Sequence, residues 1–194
     1  MTVPRLLDLA SWLLAAAAWA AWALLGNGRW GTERGDRLAD AGTLVWGMAT
    51  LVGSIVAGVA IAAALPWAGL PVPPWAARML GAVVALVGVA LREWAVMTLG
   101  PLFTQVLMIR EGHRVVTSGP YRVLRHPGYA GTLVTVAGLA ITLGNWASLA
   151  LVVLGFFVSH LPRIRREERV LEDSLGKPYR EFERTRKRII PGVW

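Results

Sequence analysis

The sequence predicts an all-α protein that crosses a membrane several times, with five transmembrane helices and a helical tail on the cytoplasmic side. Of the 194 residues, 55% are hydrophobic and only 16% are charged. The apolar residues form long uncharged blocks, such as 46–65 and 79–91, and a helix needs about 20 apolar residues to cross the hydrocarbon core. The basic residues gather in alternate connections and near the C-terminal end.

The five predicted spans follow the apolar blocks in chain order. They take up residues 6–25, 43–65, 75–99, 131–143 and 146–161. The last two are short for a full crossing, and they flank Gly144-Asn145, a pair of residues typical of turns. They are therefore predicted to form a tight hairpin that is tilted or shielded by protein. Pro162 follows, and it is expected to break or kink the helix that continues into the tail.

The first apolar segment also has features of a cleaved signal peptide, because Ala18-Trp19-Ala20 resembles a cleavage site. Removing it would place the arginines of the first connection outside and the charge-free second connection inside, against the usual charge bias of membrane proteins. Asp8 also lies where a signal peptide has its apolar core. The segment is therefore predicted to be a span.

The connections between the spans alternate in charge. Basic residues occur in the first connection, in the third and in the tail, at Arg29, Arg34, Arg37, Arg110, Arg114, Arg122, Arg125 and ten positions between 163 and 188. The second connection, 66–74, and the turn at Gly144 have none. Because basic loops stay in the cytoplasm, the N-terminus is predicted to lie outside and the C-terminus in the cytoplasm.

The net charge of +8 raises the question of nucleic acid binding. The tail also holds six acidic residues, however, and the other basic residues flank apolar spans. We therefore expect the lipid bilayer as the partner of these charges and no nucleic acid. The absence of cysteine excludes disulfides, thiolate catalysis and cysteine-ligated zinc, and no metal site is predicted.

Small residues recur at a spacing of four in two of the spans. They are Ala49, Gly53 and Ala57 in the second span, and Gly81 and Ala85 in the third. Such residues let helix backbones approach closely. We interpret them as sites of packing within one chain, so that no oligomer is required.

The stretch 110–131 is polar, rich in glycine and proline, and contains His113 and His126. Prolines stiffen the backbone, and glycines permit close approach, so this stretch has the composition of a loop that lines a pocket for a polar cofactor. The alternative is an ordinary connector that caps helix ends. Arg92 with Glu93 is a lesser candidate for the same polar region. His160 is expected to be a packed, hydrogen-bonded residue, with a place in that region as the alternative.

A second candidate element begins at Pro162. Arg163 and Glu167 are four residues apart and share a helix face, and Glu168 shares another face with Glu172. The usual explanation of such a charge run is a solvated helix with ion pairs. The functional alternative is that some of these charges point back at the helical bundle.

Together the two stretches resemble the isoprenylcysteine carboxyl methyltransferase family and its prokaryotic relatives, in a wider group with phospholipid N-methyltransferases. The segment 125–131 reads R-H-P-x-Y-x-G, and it is followed by Glu167-Glu168 and by Leu175-Gly176, Tyr179 and Ile190-Pro191. Upstream, E-G-H-R-V-V at 111–116 and G-P-Y at 119–121 are similar too. The similarity covers residues 110–194, and the first three spans agree only in hydropathy.

The resemblance implies a single methyltransferase domain, 1–194, with three spans in 1–99 and the cofactor loop, hairpin and tail in 100–194. It implies S-adenosylmethionine as the methyl donor, in a cytoplasmic pocket covered by the tail, and a lipophilic or prenylated acceptor that enters from the membrane of a prokaryotic cell. The implied cofactor-binding residues are His113, Val115, Val116, Tyr121, His126, Tyr129, Glu167 and Glu168. The implied catalytic residues are Arg163, which faces the acceptor, and His126.

The chemistry of these side chains suits those roles. A glutamate such as Glu167 pairs with the donor's ammonium group, and tyrosine rings attract a sulfonium as they attract other onium ions. A carboxylate acceptor is ionised at neutral pH and needs only an arginine such as Arg163 to orient it. An amine acceptor needs a base, for which His126 and the glutamates are candidates.

The predicted reaction is carboxyl O-methylation of an isoprenylcysteine-like substrate. Residues 99–104 depart from the related sequences, where an aromatic residue and a small hydroxyl residue are expected, so the acceptor stays open. The alternatives are methylation of a phospholipid or of another small amine or thiol, an NADPH-dependent membrane reductase of the sterol reductase type, which has more spans, and a membrane adaptor without enzymatic activity.

Overall fold

The structure is a computed structural model. It describes residues 43–103 and 114–192, together with 37–38, 108–109 and parts of a helix between residues 6 and 17. This part of the chain is mostly helical, as predicted. Its helices are α1 (Thr43–Ala64), α2 (Pro74–Leu99), α3 (Pro127–Thr142), α4 (Trp146–Leu175) and α5 (Lys177–Thr185), with short 3₁₀ turns at Pro66–Ala68, Gly100–Leu102 and Gly119–Arg122 and two short strands, β1 (Arg37–Leu38) and β2 (Met108–Ile109).

Three helical segments are long and apolar enough to cross a membrane, namely Val45–Ala64, Pro74–Leu102 and Trp146–Leu175. Helix α3 is apolar but shorter, with 16 residues. In the first predicted span, 6–25, the described residues are helical, and the others lie outside the part that the structure describes. Several apolar spans are thus confirmed, and the count of five stays a prediction.

The connections sort into the two ends of the helical bundle. Gly69 forms a backbone bridge with Asn145, and the Leu70 N–H donates to the Gly144 carbonyl over 2.8 Å. The charge-free connection between α1 and α2 therefore meets the turn between α3 and α4. At the opposite end of α1, β1 pairs antiparallel with β2, which brings the first and third connections together. The two ends correspond to the predicted division of the connections by charge.

The helices of the predicted hairpin contact their outer neighbours more than each other: α3 packs mainly against α2, and α4 against α1. Helices α2 and α3 are in backbone contact. A Cβ atom added to Gly88 would lie 2.3 Å from the Thr135 nitrogen, and one on Gly138 would lie 2.3 Å from the Ala85 nitrogen. Ala85 is fully buried, which confirms that the small residues of the third span serve packing within the chain.

The same prediction is wrong for two of the small residues named in α1. Ala49 and Gly53 are exposed, and a Cβ on Gly53 would meet nothing within 4 Å. The face that contacts α4 instead carries Ser54 and Gly58, and a Cβ on Gly155 of α4 would lie 2.3 Å from the Ser54 Cβ. Helix α1 has small residues on two faces, and the spacing of four does not reveal which face meets protein and which meets lipid.

Helix α4 runs without interruption through Pro162 over 30 residues. Of the two expectations for this position, the break is wrong and the kink stays a prediction. A proline in a helix removes one backbone hydrogen bond and costs about 3 kcal/mol. Here Phe156 and Ser159 before it and Ile164 after it are almost completely buried. This packing on both sides of the proline offsets the local cost and carries one helix from the apolar bundle into the charged tail.

Arg78 of α2 is buried and contacts the helical residues described between positions 6 and 17. Its Nε donates to the Ser11 hydroxyl over 2.9 Å, and its guanidinium pairs with the Asp8 carboxylate. Charged groups within membrane helices are costly unless they are paired, so Asp8 has a partner that suits its position in a span. The contact also brings residue 8 to the end of the bundle where α2 begins.

Candidate active site

Two consecutive glutamates of α4, Glu167 and Glu168, form the centre of the candidate site. Successive residues of a helix point about 100° apart, since the helix has 3.6 residues per turn, and these two carboxylates have different surroundings. The Glu167 side chain is 27% exposed and that of Glu168 only 9%. The sequence predicted both glutamates at the cofactor. In the structure they share His126 and otherwise have different partners.

Glu167 faces the helical bundle. The Tyr129 hydroxyl of α3 donates to Glu167 Oε2 over 2.9 Å, and Arg163 Nε donates to the Tyr129 oxygen over 3.0 Å. Arg163 is only 8% exposed, so the interpretation of this part of the helix as solvated does not hold for Arg163. The result is a continuous polar chain from Arg163 through Tyr129 to Glu167, at the point where the apolar part of α4 ends.

An aromatic layer lies next to this polar chain on the side of the apolar helices. The His160 ring stacks on Phe156 with ring centroids 4.3 Å apart, and it contacts the Tyr129 ring edge-on at 5.5 Å. His160 Nδ1 is 2.6 Å from the Ser159 hydroxyl. This confirms the expectation that His160 is a packed, hydrogen-bonded residue.

His126 lies between the two glutamates. Its Nε2 is 3.3 Å from Glu168 Oε1, and its Nδ1 is 3.7 Å from Glu167 Oε1. The R-H-P motif explains this position, because Pro127 occupies the first turn of α3, where its missing N–H costs nothing, and His126 directly precedes it. The imidazole is thus placed at the start of α3, facing the tail end of α4.

Glu168 faces the C-terminal part of the chain. Arg188 Nε is 3.0 Å from each of its oxygens, Arg188 Nη2 is 2.9 Å from Oε2, and Arg125 Nη1 is 3.0 Å from Oε1. Arg125 also pairs with Glu183 of α5. The hydrogen bond to Glu168 raises the pKa of Arg188. The Glu168 carboxylate is therefore surrounded by cations from two other segments of the chain.

The C-terminal segment runs across the R-H-P motif. The Arg125 N–H donates to the Lys187 carbonyl over 2.8 Å, and the His126 N–H donates to the Arg188 carbonyl over 3.0 Å. Ile189, which follows, is 3% exposed and belongs to the same core cluster as Phe156 and Ile164. The tail is thus attached to the site by backbone pairing, by ion pairs and by apolar packing.

A second cluster connects the loop before α3 to α5. Tyr121, from the 3₁₀ turn Gly119–Arg122, packs with Tyr179 and Phe182 of α5, and Val115 and Val116 lie against them. The Tyr179 hydroxyl is buried and has no hydrogen-bond partner among the described residues. Burial, followed by the charges of Glu168 and Glu167, raises the pKa of Tyr179. This hydroxyl therefore stays protonated near both carboxylates.

Tyr121 links this cluster to the polar chain. Burial and then the charge of Glu167 raise its pKa, and Arg92 acts in the opposite direction. Arg92, near the end of α2, is close enough to interact electrostatically with both Tyr121 and Tyr129, and its guanidinium lies 5.8 Å above the Phe103 ring. The lesser candidate Arg92 therefore faces the same region as the principal candidates.

Most of the residues that the sequence singled out come together in this region. Val115, Val116, Tyr121, His126, Tyr129, Arg163, Glu167 and Glu168 occupy two adjoining clusters. His113 lies outside the described residues. Sequence reasoning assigned no role to Arg125, Arg188 or the Tyr179 hydroxyl. Arg125 could have been noted as the first residue of the R-H-P motif, but Arg188 is one of ten basic residues in the tail, with nothing to distinguish it.

Comparison with known proteins shows similarity to one family of membrane methyltransferases. Residues 79–173 match the isoprenylcysteine carboxyl methyltransferase family. The chain is 34% identical over 110 residues to a probable protein-S-isoprenylcysteine O-methyltransferase of Oryza sativa subsp. indica, covering 56% of this chain and 58% of that protein. It is 35% identical over 124 residues to protein-S-isoprenylcysteine O-methyltransferase B of Arabidopsis thaliana, covering 61% of this chain and 60% of that protein.

The fold is also similar to a solved structure, that of a eukaryotic intramembrane Ras methyltransferase, isoprenylcysteine carboxyl methyltransferase, determined without a monobody. The TM-score is 0.63 at 22% sequence identity, over 93% of this chain and 63% of that one. The chain thus spans about three fifths of the length of the relatives that it matches.

Proposed function

We propose that the chain is an integral membrane methyltransferase that uses S-adenosylmethionine and acts on a lipophilic acceptor, since residues 79–173 match the isoprenylcysteine carboxyl methyltransferase family. The observation that carries the proposal is the polar chain of Arg163, Tyr129 and Glu167, which meets the apolar part of α4 on one side and the tail on the other. In this proposal the polar donor binds from the tail side, and a lipid-like acceptor approaches from the apolar bundle.

The described residues fit the proposed donor. The buried Tyr179 hydroxyl, which has no partner among them, is available to hydrogen-bond a ligand. Glu167 is the more exposed of the two glutamates and carries the charge that suits an ammonium group. When bound, S-adenosylmethionine supplies an electrophilic methyl group on a sulfonium. The proposed donor-binding residues are His113, Val115, Val116, Tyr121, His126, Tyr129 and Glu167.

We propose that the chain's own residues bind the donor, orient the acceptor and exclude water from the site. The Tyr121 ring and the two valines provide an apolar wall covered by α5, and exclusion of water strengthens the electrostatic contacts in the site. The Tyr129 hydroxyl donates to Glu167, and Tyr121 is close enough to interact with it electrostatically. We propose that the faces of these tyrosine rings attract the onium group of the donor. Arg163 holds a buried positive charge beside them.

An anionic acceptor fits this site better than an amine. Arg163 is directed at the Tyr129 hydroxyl and provides a cation at the edge of the apolar bundle, which orients a carboxylate and needs no base. Both ring nitrogens of His126 face glutamate oxygens, so neither is directed at an acceptor among the helices. We therefore favour carboxyl O-methylation of an isoprenylcysteine-like substrate over methylation of a phospholipid amine.

The proposal includes one methyltransferase domain, with the N-terminus outside, the tail in the cytoplasm and the α3–α4 hairpin as the fourth and fifth spans. The meeting of the charge-free connections at one end of the bundle supports this orientation. The prokaryotic membrane is also a proposal. The relatives compared above are eukaryotic and do not support it.

The decisive experiment is thermal unfolding of the purified protein in detergent with candidate cofactors. A ligand that binds only the folded state stabilises it by about 2.7 kcal/mol at a hundred times its dissociation constant. We expect S-adenosylmethionine and its demethylated product to raise the melting temperature and NADPH to leave it unchanged. Stabilisation by NADPH alone would favour a reductase, and no effect of any of the three would favour an adaptor.

A further inference from the structure

The described contacts of Glu168 distinguish it from its neighbour. Its two oxygens are contacted by Arg188, by Arg125 and by His126, all within 3.3 Å. A carboxylate has about four positions at which it accepts hydrogen bonds, and these groups occupy them. The side chain is 9% exposed. Glu168 thus has its charge balanced within the protein, and little of its surface is open to a ligand.

The partners of Glu168 come from segments that are far apart in sequence. Arg125 and His126 precede α3, whereas Arg188 follows α5. The same two segments are paired through their backbones, with the Arg125 and His126 N–H groups donating to the carbonyls of residues 187 and 188. Glu168 therefore lies where the tail and the R-H-P motif meet, and it contacts both.

We propose that Glu168, through its paired contact with Arg188, holds the C-terminal segment 187–190 across the R-H-P motif and fixes the His126 ring, and that it is a positioning residue rather than a cofactor ligand. This inference rests on the proposed methyltransferase function. His126 Nε2 is held by Glu168 Oε1, which directs Nδ1 toward Glu167. The clasp, defined as Glu168, Arg188 and Arg125, then determines the position of α5, whose Tyr179 and Phe182 pack on Tyr121.

The charge balance of the clasp predicts how it responds to substitution. Removing one member of a buried ion pair leaves the other charge without compensation, which is more damaging than losing an exposed pair. Glu168→Gln removes the carboxylate between Arg125 and Arg188, while Arg125 keeps its pair with Glu183. Arg188→Lys keeps the charge but loses the two-pronged contact, so its effect is expected to be smaller than that of Arg188→Ala.

The test measures amide hydrogen exchange in the protein without cofactor, on peptides that contain Arg125 and His126. In Glu168→Gln and Arg188→Ala we expect these two amides to exchange at least about tenfold faster, because their acceptors at residues 187 and 188 move away. Glu167→Gln serves as the matched control, since it changes the neighbouring carboxylate and leaves the clasp intact. Lys177→Ala, at an 83% exposed side chain of the same tail, controls for the loss of any basic residue.

Donor binding and turnover on the same preparations separate positioning from direct contact. We expect the clasp variants to raise the KM for the donor by about tenfold or more while kcat at saturating donor falls less than about threefold, as when binding is lost but the reacting groups are kept. Arg188→Lys should recover part of both the exchange protection and the KM. A Glu168→Gln variant that weakens donor binding without faster exchange at residues 125 and 126 would make Glu168 a direct ligand and overturn the proposal.

The hydrogen-exchange measurement does not depend on whether the protein is a methyltransferase. If the native protein binds no S-adenosylmethionine, the proposed function fails, while exchange at residues 125 and 126 still decides whether the clasp exists. If Arg188→Ala leaves both the exchange and the donor affinity at their native values, the clasp is refuted even though the methyltransferase assignment stands.

Discussion

At the scale of single residues, the burial and the hydrogen bond of Arg163 bear on its role. A buried arginine is costly unless its charge is balanced and its donors have partners, and Arg163 is 8% exposed with its Nε donating to Tyr129. An exposed ion pair four residues apart on a helix contributes about 0.3–0.5 kcal/mol, and such a pair does not require burial. The burial of Arg163 therefore argues against an exposed ion pair, and its position facing an acceptor stays a proposal.

We predict that Arg163→Ala abolishes methyl transfer to a prenylcysteine or another anionic acceptor while donor affinity stays within about threefold of native. The reason is that Tyr129 still donates to Glu167 when the arginine is absent. Arg163→Lys should restore little activity, since an ammonium does not reproduce the planar guanidinium. The measurements are calorimetric donor titration and radiolabelled methyl transfer. Parallel loss of both would place Arg163 at the donor instead.

For Glu167, we predict that Glu167→Gln weakens donor binding by about 1.5–3 kcal/mol, the range for a hydrogen bond to a charged group. Unfolding without ligand should stay cooperative, because the side chain is 27% exposed and can be solvated. Tyr129→Phe is the control, since it removes the hydroxyl that donates to Glu167 and keeps the ring. Equal donor affinity in Glu167→Gln and the native protein would exclude the proposed ammonium contact.

At the scale of elements, the close packing of α2 against α3 depends on glycine residues. The backbones touch at Gly88 and Gly138, and the same contact places the R-H-P motif, which begins α3, against the end of α2. Two helices that approach this closely gain packing along their full length, which matters in a membrane where no hydrophobic effect drives them together. The position of His126 and Tyr129 thus depends on small residues that lie far from the chemistry.

We predict that Gly88→Ala destabilises the protein by about 1–3 kcal/mol, the cost of forcing extra atoms into a packed contact. The added Cβ would lie 2.3 Å from a backbone nitrogen of α3, which cannot rotate away. Gly53→Ala is the matched control, because its Cβ meets nothing within 4 Å, and alanine favours a helix by up to about 1 kcal/mol over glycine. Thermal unfolding in detergent measures both, and a loss of stability as large in Gly53→Ala would contradict the assignment of the two faces.

At the scale of the whole molecule, the connections are sorted by charge between two ends. The charge-free connections meet through Gly69 and Asn145, and basic segments meet through the bridge between Leu124 and Lys187. The contact of Asp8 with Arg78 places residue 8 at the end of the bundle where the charge-free connections meet. These contacts give the relative sides of the connections, and the positive-inside rule assigns which side is cytoplasmic.

We predict that a reporter fused after Trp194 is cytoplasmic and that one inserted near Val72 is outside, in cells in which both fusions retain donor binding. The physical reason is the cost of moving the arginine-rich connections across a membrane. Cysteine introduced at Val72 and labelled with a membrane-impermeant reagent gives an independent measurement. The opposite locations for both reporters would mean that the chain is inverted, and the same side for both would mean that the spans are miscounted.

The sequence could indicate which residues lie at the candidate site. The family resemblance of the motifs points to Arg163, His126, Tyr129 and Glu167, and the structure brings these residues together. The directions of their side chains were not predictable. Glu167 and Glu168 look equivalent as a pair, and only the packing of α4 between α3 and the tail turns one toward Tyr129 and the other toward Arg188.

The sequence by itself determined the helical class, the positions of the long apolar helices and the division of charge between connections, because hydropathy and loop charge act locally along the chain. Only the tertiary structure decided which small residues of α1 meet protein, that α4 continues through Pro162, and that Arg188 returns to Glu168. These depend on contacts between segments distant in sequence. Such contacts are selected by the packing of whole helices, and no window of neighbouring residues contains them.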